Sequence, residues 1–191
     1  MLFRYCFDVL LAELKKEPMP IVPSSTVDIS SPLFVTWKKV ADSGGLELRG
    51  CIGNFGSLPL VTALKEYSLV SSMRDSRFKP IRLDEVPALH VGLSFLQNFE
   101  YADDIYDWNI GVHGIQITFN DLQGKTRSAT YLPEVTLEQR WSKREAVESL
   151  VRKAGFRGDI DNALLGTISL ERYQSVKASM SYEQYLINKK W

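Results

Sequence analysis

Residues 46–53 constrain the fold most, because apolar and polar side chains alternate along them. The apolar residues are Leu46, Leu48 and Ile52. The residues of higher polarity that alternate with them are Glu47, Arg49 and Cys51. Alternation with a period of two is typical of a β-strand that buries one face. We therefore predict a strand whose apolar face enters a core and whose opposite face carries Arg49 and Cys51.

The polar face of this strand is a candidate site. Two residues along a strand are about 6.6 Å apart, so the Arg49 guanidinium is expected to favour the Cys51 thiolate where water is partly excluded. Gly50 and Gly53 flank the cysteine, and glycine within a strand often marks a close approach to the backbone. This pattern predicts a pocket wall. The alternative is a structural cysteine, because free cysteine often packs as a small hydrophobe.

Composition narrows the class of protein. The 191 residues carry 23 basic and 23 acidic side chains, so the net charge is zero and nucleic-acid binding is not supported. Two cysteines do not make a disulfide scaffold. We predict one domain over residues 1–191, built from two intimately packed α+β lobes.

The sequence does not indicate a membrane span or a secretory signal. No apolar run approaches the roughly 20 residues of a membrane span, and the first four residues lack the features of a secretory signal. We therefore expect an intracellular protein of the cytoplasm or the nucleus, without a membrane partner.

Periodicity predicts the order of the elements. We predict helices at 2–15, after an N-cap at Ser57, from 142 to 154 and at 182–189, with a short helical stretch that runs through Trp141. We predict strands at 33–40, 46–52, 89–95, 113–119, 126–131 and 167–176, and an irregular connection at 17–32. Hairpins without regular βαβ alternation indicate an α+β fold with an antiparallel sheet, segregated helices and a cleft between two lobes.

Standard chemical motifs do not occur in the chain. Phosphate loops, dinucleotide fingerprints, H-E-x-x-H, C-x-x-C and G-x-S-x-G are all missing from the sequence. With two histidines and two cysteines, no zinc or other metal site is indicated. We expect no cofactor.

Nine segments together resemble one known family. They are YCFDVL at 5–10, LRGCIG at 48–53, DSRFKPI at 75–81, NFE at 98–100, DW at 107–108, GVHGI at 111–115, YLPEV at 131–135, EQ at 138–139 before Trp141, and RYQS at 172–175. In this order they closely resemble the AMMECR domain family, the first and last segments being similar to its eukaryotic branch. Two departures are Asn54, where threonine is expected, and Arg140, where glycine is common.

The resemblance implies a two-lobed α+β structure whose signature residues line a cleft, with no settled biochemical activity. Microbial relatives occur beside or fused to Memo-type proteins and near radical-SAM enzymes, which implies a part in modification chemistry. It also makes a Memo-type protein a candidate partner. Nucleic-acid roles have been raised for the family, but the neutral charge balance does not support them.

Other candidate residues each have a structural alternative. Arg77 could clamp an anionic ligand that Asp75 orients, or the two could pair with each other. Glu134 and Glu138 could present carboxylates on one helical face, or could both be solvated. His113 shares the inward phase of its predicted strand, which favours a packed, hydrogen-bonded histidine, but the neighbouring glycines could bulge the strand and turn the side chain over.

Two hypotheses follow from these residues. In the first, the protein is a binding or regulatory module that holds a small anionic ligand, a peptide or a partner. Its ligand-binding residues are Arg49, Gly50, Gly53, Asp75, Arg77 and Glu138. In the second, the protein is an enzyme in which Arg49 activates Cys51 as nucleophile, and His113 or Glu134 is the general base.

Overall fold

The computed structural model describes residues 1–21, 30–121 and 123–189. Its helices are α1 (Leu2–Lys15), α2 (Leu60–Met73), α3 (Pro133–Glu138), α4 (Lys143–Lys153), α5 (Asn162–Leu165) and α6 (Tyr182–Lys189), with a 3-10 helix at Leu83–Ala88. Its strands are β1 (Ser30–Val40), β2 (Leu46–Pro59), β3 (Leu89–Tyr101), β4 (Gly114–Asn120), β5 (Thr126–Tyr131) and β6 (Ser169–Ser181).

The strands form a sheet in the order β2-β1-β3-β6-β4-β5. Strand β1 pairs antiparallel with β2 and β3, and β4 pairs antiparallel with β5 and β6. The predicted α+β class with an antiparallel sheet is confirmed. In the described part of the chain, none of the helices is long and apolar enough to cross a membrane.

The chain divides into two compact units. The first comprises Met1–Phe95 with Val176–Trp191, and the second comprises Leu96–Ser175. The predicted arrangement of two packed lobes, with a cleft between them, stays a prediction.

The first unit is built around α1, which is buried on most of its circumference. Phe7 meets the Trp37 ring of β1 edge to face, with ring centroids 5.3 Å apart. The Tyr185 hydroxyl of α6 donates to the Asp8 carboxylate at 2.7 Å. These contacts join the first and last helices to the β1 face of the sheet.

The second unit has its own core beneath α4. Ser142 caps α4 and its side chain accepts from the Glu145 N–H, which is one half of a capping box. The apolar stripe of α4 is buried together with inward residues of β4, namely Val147, Leu150, Val151, Ile115 and Ile117.

Several predicted boundaries are wrong. Strand β2 continues to Pro59, and Pro59 rather than Ser57 is the N-cap of α2. Strand β4 begins at Gly114, so His113 precedes it. Strands β1, β3 and β6 are longer than predicted. Of the predicted connection 17–32, residues 22–29 lie outside the described residues, and residues 30–32 belong to β1.

The predicted burial of Leu46 and Leu48 is also wrong, since they are 48% and 40% exposed. Trp37 pairs with Gly50 whereas Lys38 pairs with Leu48, so Arg49 is an extra residue without a partner on β1. Such a bulge interrupts the alternation of faces along a strand. The simple period therefore fails at this point.

Candidate functional site

Cys51 lies on β2 opposite Thr36 of β1. The Thr36 hydroxyl donates to the Cys51 sulfur, with Oγ1 and Sγ 3.1 Å apart. Val35 and Trp37, the neighbours of Thr36 on β1, are fully buried on the other face. The partly buried thiol therefore faces away from the core of the first unit.

Asp75 and Arg77, in the turn after α2, bind the backbone of Cys51 from the free edge of β2. The Cys51 N–H donates to Asp75 Oδ2 at 3.0 Å, and Arg77 Nη2 donates to the Cys51 carbonyl at 3.1 Å. The guanidinium also donates to both carboxylate oxygens of Asp75, at 2.9 and 2.6 Å. Asp75 and Arg77 thus pair with each other, the structural alternative considered for them.

This pairing determines the charge state of Asp75. Its side chain is only 3% exposed, yet the hydrogen bond from Arg77 lowers the pKa of its carboxyl from 3.8 to about 2. The same hydrogen bond is the main reason that the pKa of Arg77 is raised. Both groups are therefore ionised at neutral pH, and Arg77 stays 55% exposed beside Cys51.

Arg49 forms hydrogen bonds with a different set of groups. Its guanidinium donates to both oxygens of Glu85, at 2.9 and 3.0 Å, and to the carbonyls of Lys79 and Pro80, at 2.6 and 3.2 Å. The hydrogen bond from Arg49 lowers the pKa of Glu85 to about 2. All three nitrogens of this guanidinium therefore donate to other groups of the protein.

Arg49 does not share a face with Cys51, and this part of the sequence prediction is wrong. Lys39 approaches the same Glu85 oxygen as Arg49, at 3.5 Å. Lys39 and Thr36 are three residues apart in a regular stretch of β1, so they lie on opposite faces of the sheet. Cys51 lies with Thr36, whereas Arg49 lies with Lys39, because the bulge at Arg49 reverses its direction.

The two glycines are explained by close contacts inside the protein. A Cβ added at Gly50 would lie 1.9 Å from the backbone oxygen of Ser71 in α2, and one at Gly53 would lie 2.2 Å from the oxygen of Leu33. The close approach predicted for them is therefore made by α2 and β1. Their role as ligand-binding residues stays a prediction.

His113 lies in the loop before β4, in the second unit. Its Nδ1 accepts from the Asn109 N–H at 2.9 Å, so in the neutral ring the proton is on Nε2. Burial and then the charge of Arg172 lower the pKa of the imidazole. Arg172 is itself paired with Glu100 and Asp107, at 2.9 and 2.7 Å.

Glu134 and Glu138 lie four residues apart in α3, also in the second unit. Glu134 is partly buried, whereas Glu138 is exposed at the end of the helix. Cys51 is in the first unit, so the enzyme hypothesis requires an approach between residues of different units. Both general-base assignments stay predictions.

Sequence reasoning did not select Thr36 or Glu85 as members of the site. Thr36 could have been found from the predicted hairpin, because it is the polar residue between Val35 and Trp37 on β1. Glu85 lies 36 residues from Arg49, and no local pattern joins them.

The comparisons with known proteins agree with this architecture. The AMMECR1 family model matches residues 3–178. The chain belongs to the AMMECR1 family. Relatives in this family include an uncharacterized protein of Arabidopsis thaliana, 46% identical and covering 95% of this chain and 85% of its own. Another is an uncharacterized protein of Schizosaccharomyces pombe, 41% identical and covering 96% of this chain and 93% of its own.

A solved structure shows the AMMECR1 fold. The crystal structure of an uncharacterized protein from Pyrococcus horikoshii matches with a TM-score of 0.75 at 23% identity. The match covers 93% of this chain and 89% of that protein. At this identity the likeness establishes the fold alone.

Proposed function

We propose that this AMMECR1-family chain is a binding module whose contact surface is the exposed edge of Arg77 beside the Cys51 thiol. The ligand is a small anion or an acidic segment of a partner protein. The observation that carries the proposal is the fixed orientation of an exposed guanidinium, held on one side by Asp75 and by the Cys51 carbonyl.

One nitrogen of Arg77 is available as a donor at this surface. Arg77 Nη1 makes no hydrogen bond to the described residues, while Nε and Nη2 are used by Asp75 and Cys51. The Thr36 hydroxyl and the Cys51 thiol lie on the adjoining face of β1 and β2. Because the guanidinium is already ordered, little side-chain entropy is lost when an anion binds.

Asp75 limits the strength of the binding. Its negative charge offsets much of the Arg77 field, so recognition depends on directed hydrogen bonds rather than on net charge. Arg49, whose guanidinium is engaged by Glu85, supports the strand instead of the ligand in this proposal. We therefore expect weak, short-range binding of oxyanions.

An amide NMR titration tests the proposal, with inorganic phosphate, acetate and a hexaglutamate peptide as probes. We expect saturable shifts at the amides of Cys51 and Arg77, and their loss in Arg77→Gln. Arg82→Gln is the matched control, because Arg82 also pairs with an aspartate two residues away, Asp84. Equal responses of Arg77→Gln and wild type would contradict the proposal.

A Memo-type protein is the partner class that the family resemblance implies, and we propose it as the macromolecular probe. Arg77→Gln is expected to weaken its binding to this chain, whereas Arg82→Gln is not. If Arg77→Gln leaves this binding unchanged, the Memo-type protein does not bind at the Arg77 surface.

The hydrogen bond from Thr36 to the Cys51 sulfur favours a second candidate, a cysteine-centred enzyme. A hydroxyl that donates to sulfur stabilises the thiolate, which is the nucleophilic form. If His113 or Glu134 is the base, His113→Ala or Glu134→Gln should slow the alkylation of Cys51 at neutral pH. Unchanged rates in both variants would remove the general base from this hypothesis.

A further inference from the structure

We propose that the second unit contains a separate binding pocket for a small organic cation with an apolar body. The pocket lies between the loop that follows β3 and the segment that joins α5 to β6. Its volume is about 530 Å³, within the range of sites that hold small molecules. It uses none of the residues of the Arg77 surface.

The floor of the pocket is apolar. Leu165, Ile168 and Leu170 line it, and all three are buried members of the core of the second unit. This surface can cover the hydrocarbon part of a ligand, and each methylene removed from water contributes favourably to binding. A ligand without an apolar part would make no favourable contact with this floor.

The rim of the pocket is acidic. Asp103 and Asp104 line it, and within the described residues neither carboxylate forms an ion pair. The neighbouring acids Glu100 and Asp107, by contrast, are both paired with Arg172. Unneutralised carboxylates at the mouth of an apolar pocket select a ligand with positive charge.

An aromatic ring lies beside these carboxylates. Tyr101, the last residue of β3, lines the pocket and is 76% exposed. The face of a tyrosine ring attracts ammonium groups. The combination of ring, carboxylates and apolar floor therefore indicates an alkylammonium group rather than a metal ion.

The wall that carries the acids is held in place without a ligand. The Ala102 N–H donates to the Leu170 carbonyl at 2.9 Å, and the Tyr106 N–H donates to Asp104 Oδ1 at 2.6 Å. The Trp108 indole donates to the Ile105 carbonyl at 3.1 Å. A pocket that is already formed loses little entropy on binding.

Three probes of equal chain length separate charge from apolar burial: hexylammonium, hexanol and hexanoate. In amide NMR titrations we expect hexylammonium to bind most tightly and to shift residues 102–106 and 166–170. Hexanol should bind more weakly, and hexanoate most weakly. Equal binding of the three, or shifts outside these segments, would overturn the proposal.

Asp103→Asn tests the acidic rim with little risk to folding, because the Asp103 side chain is exposed. We expect about fivefold weaker binding of hexylammonium and unchanged binding of hexanol. Asp159→Asn, an exposed acid of the same unit that does not line the pocket, is the control. Equal losses in both variants would contradict a specific site.

The same ammonium chemistry can come from a free amine or from a lysine side chain of a peptide. Nα-acetyl-lysine N-methylamide, which keeps a free side-chain ammonium, distinguishes the two sources. Tighter binding than hexylammonium would identify a lysine side chain, and weaker binding would identify a free amine. Failure of both cations to bind would overturn the proposal.

Discussion

The backbone N–H of Cys51 donates a hydrogen bond to Asp75 Oδ2 at 3.0 Å. This contact lies on the free side of β2, the strand at one end of the described sheet. Arg77 completes it by donating to the Cys51 carbonyl at 3.1 Å. Two side chains thus take the place of a neighbouring strand, and they satisfy backbone groups that would otherwise be exposed at a sheet edge.

Acid should weaken the fold through Asp75. Its pKa is about 2 in the folded protein and about 3.9 in an unfolded chain, so it stabilises the fold fully above about pH 4. As the pH falls from 4 towards 2, about 2 kcal/mol of this stabilisation should be lost. Urea titrations across this range should therefore show the stability difference between wild type and Asp75→Asn shrinking. A difference that is constant with pH would contradict this role of Asp75.

Gly50→Ala should be strongly destabilising, by about 3 kcal/mol, because the new Cβ would overlap the Ser71 oxygen in α2. Gly45→Ala is the control, since its Cβ would meet nothing nearer than the Ser43 hydroxyl at 4.0 Å. Its effect should stay within about 0.5 kcal/mol. Chemical denaturation measures both variants, and similar costs would refute the close approach of α2.

A buried leucine in each unit serves as a test of its core. Leu64 in α2 and Leu150 in α4 are fully buried, so replacing either by alanine should cost about 2 to 5 kcal/mol. Lys65 in α2 is exposed, and Lys65→Ala should change stability by less than about 0.5 kcal/mol. Equal, small effects in a denaturant titration would show that the helix faces are misassigned.

Arg140→Gly should stabilise the protein by about 0.5 to 1 kcal/mol, because Arg140 has a φ of 56° and glycine adopts this region without strain. Arg140→Ala keeps a Cβ and should give no stabilisation. Thermal denaturation compares the two, and an equal gain from alanine would assign the effect to the side chain.

The sequence predicts where the helices and strands lie better than it predicts which side chains each of them buries. The start of the strand that contains Cys51 agrees with the prediction, but its end does not, and the bulge at Arg49 turns Leu48 outward and separates Arg49 from Cys51. Strand register depends on the pairing with β1 and on the contact between Gly50 and α2, which a period of two does not contain. Helix α5, with four residues, is too short to show a helical period.

The candidate site was only partly predictable for a similar reason. Asp75 and Arg77 are two residues apart, so their pairing could be considered from sequence alone. The hydrogen bond from the Cys51 N–H to Asp75 spans 24 residues, and the hydrogen bond from Arg49 to Glu85 spans 36. Contacts of this range arise from the fold and leave no local pattern.

The alkylation rate of Cys51 at neutral pH tests most directly the claim that Arg77, and not Arg49, is the cation of this surface. Cys6 is the internal control, because it is fully buried and burial raises the pKa of its thiol to about 12. Its lack of reaction with iodoacetamide reports that each variant is folded. Arg77→Gln should slow the alkylation of Cys51 about threefold to tenfold, and Arg49→Gln should leave the rate unchanged. A rate that depends on Arg49 and not on Arg77 would contradict the account.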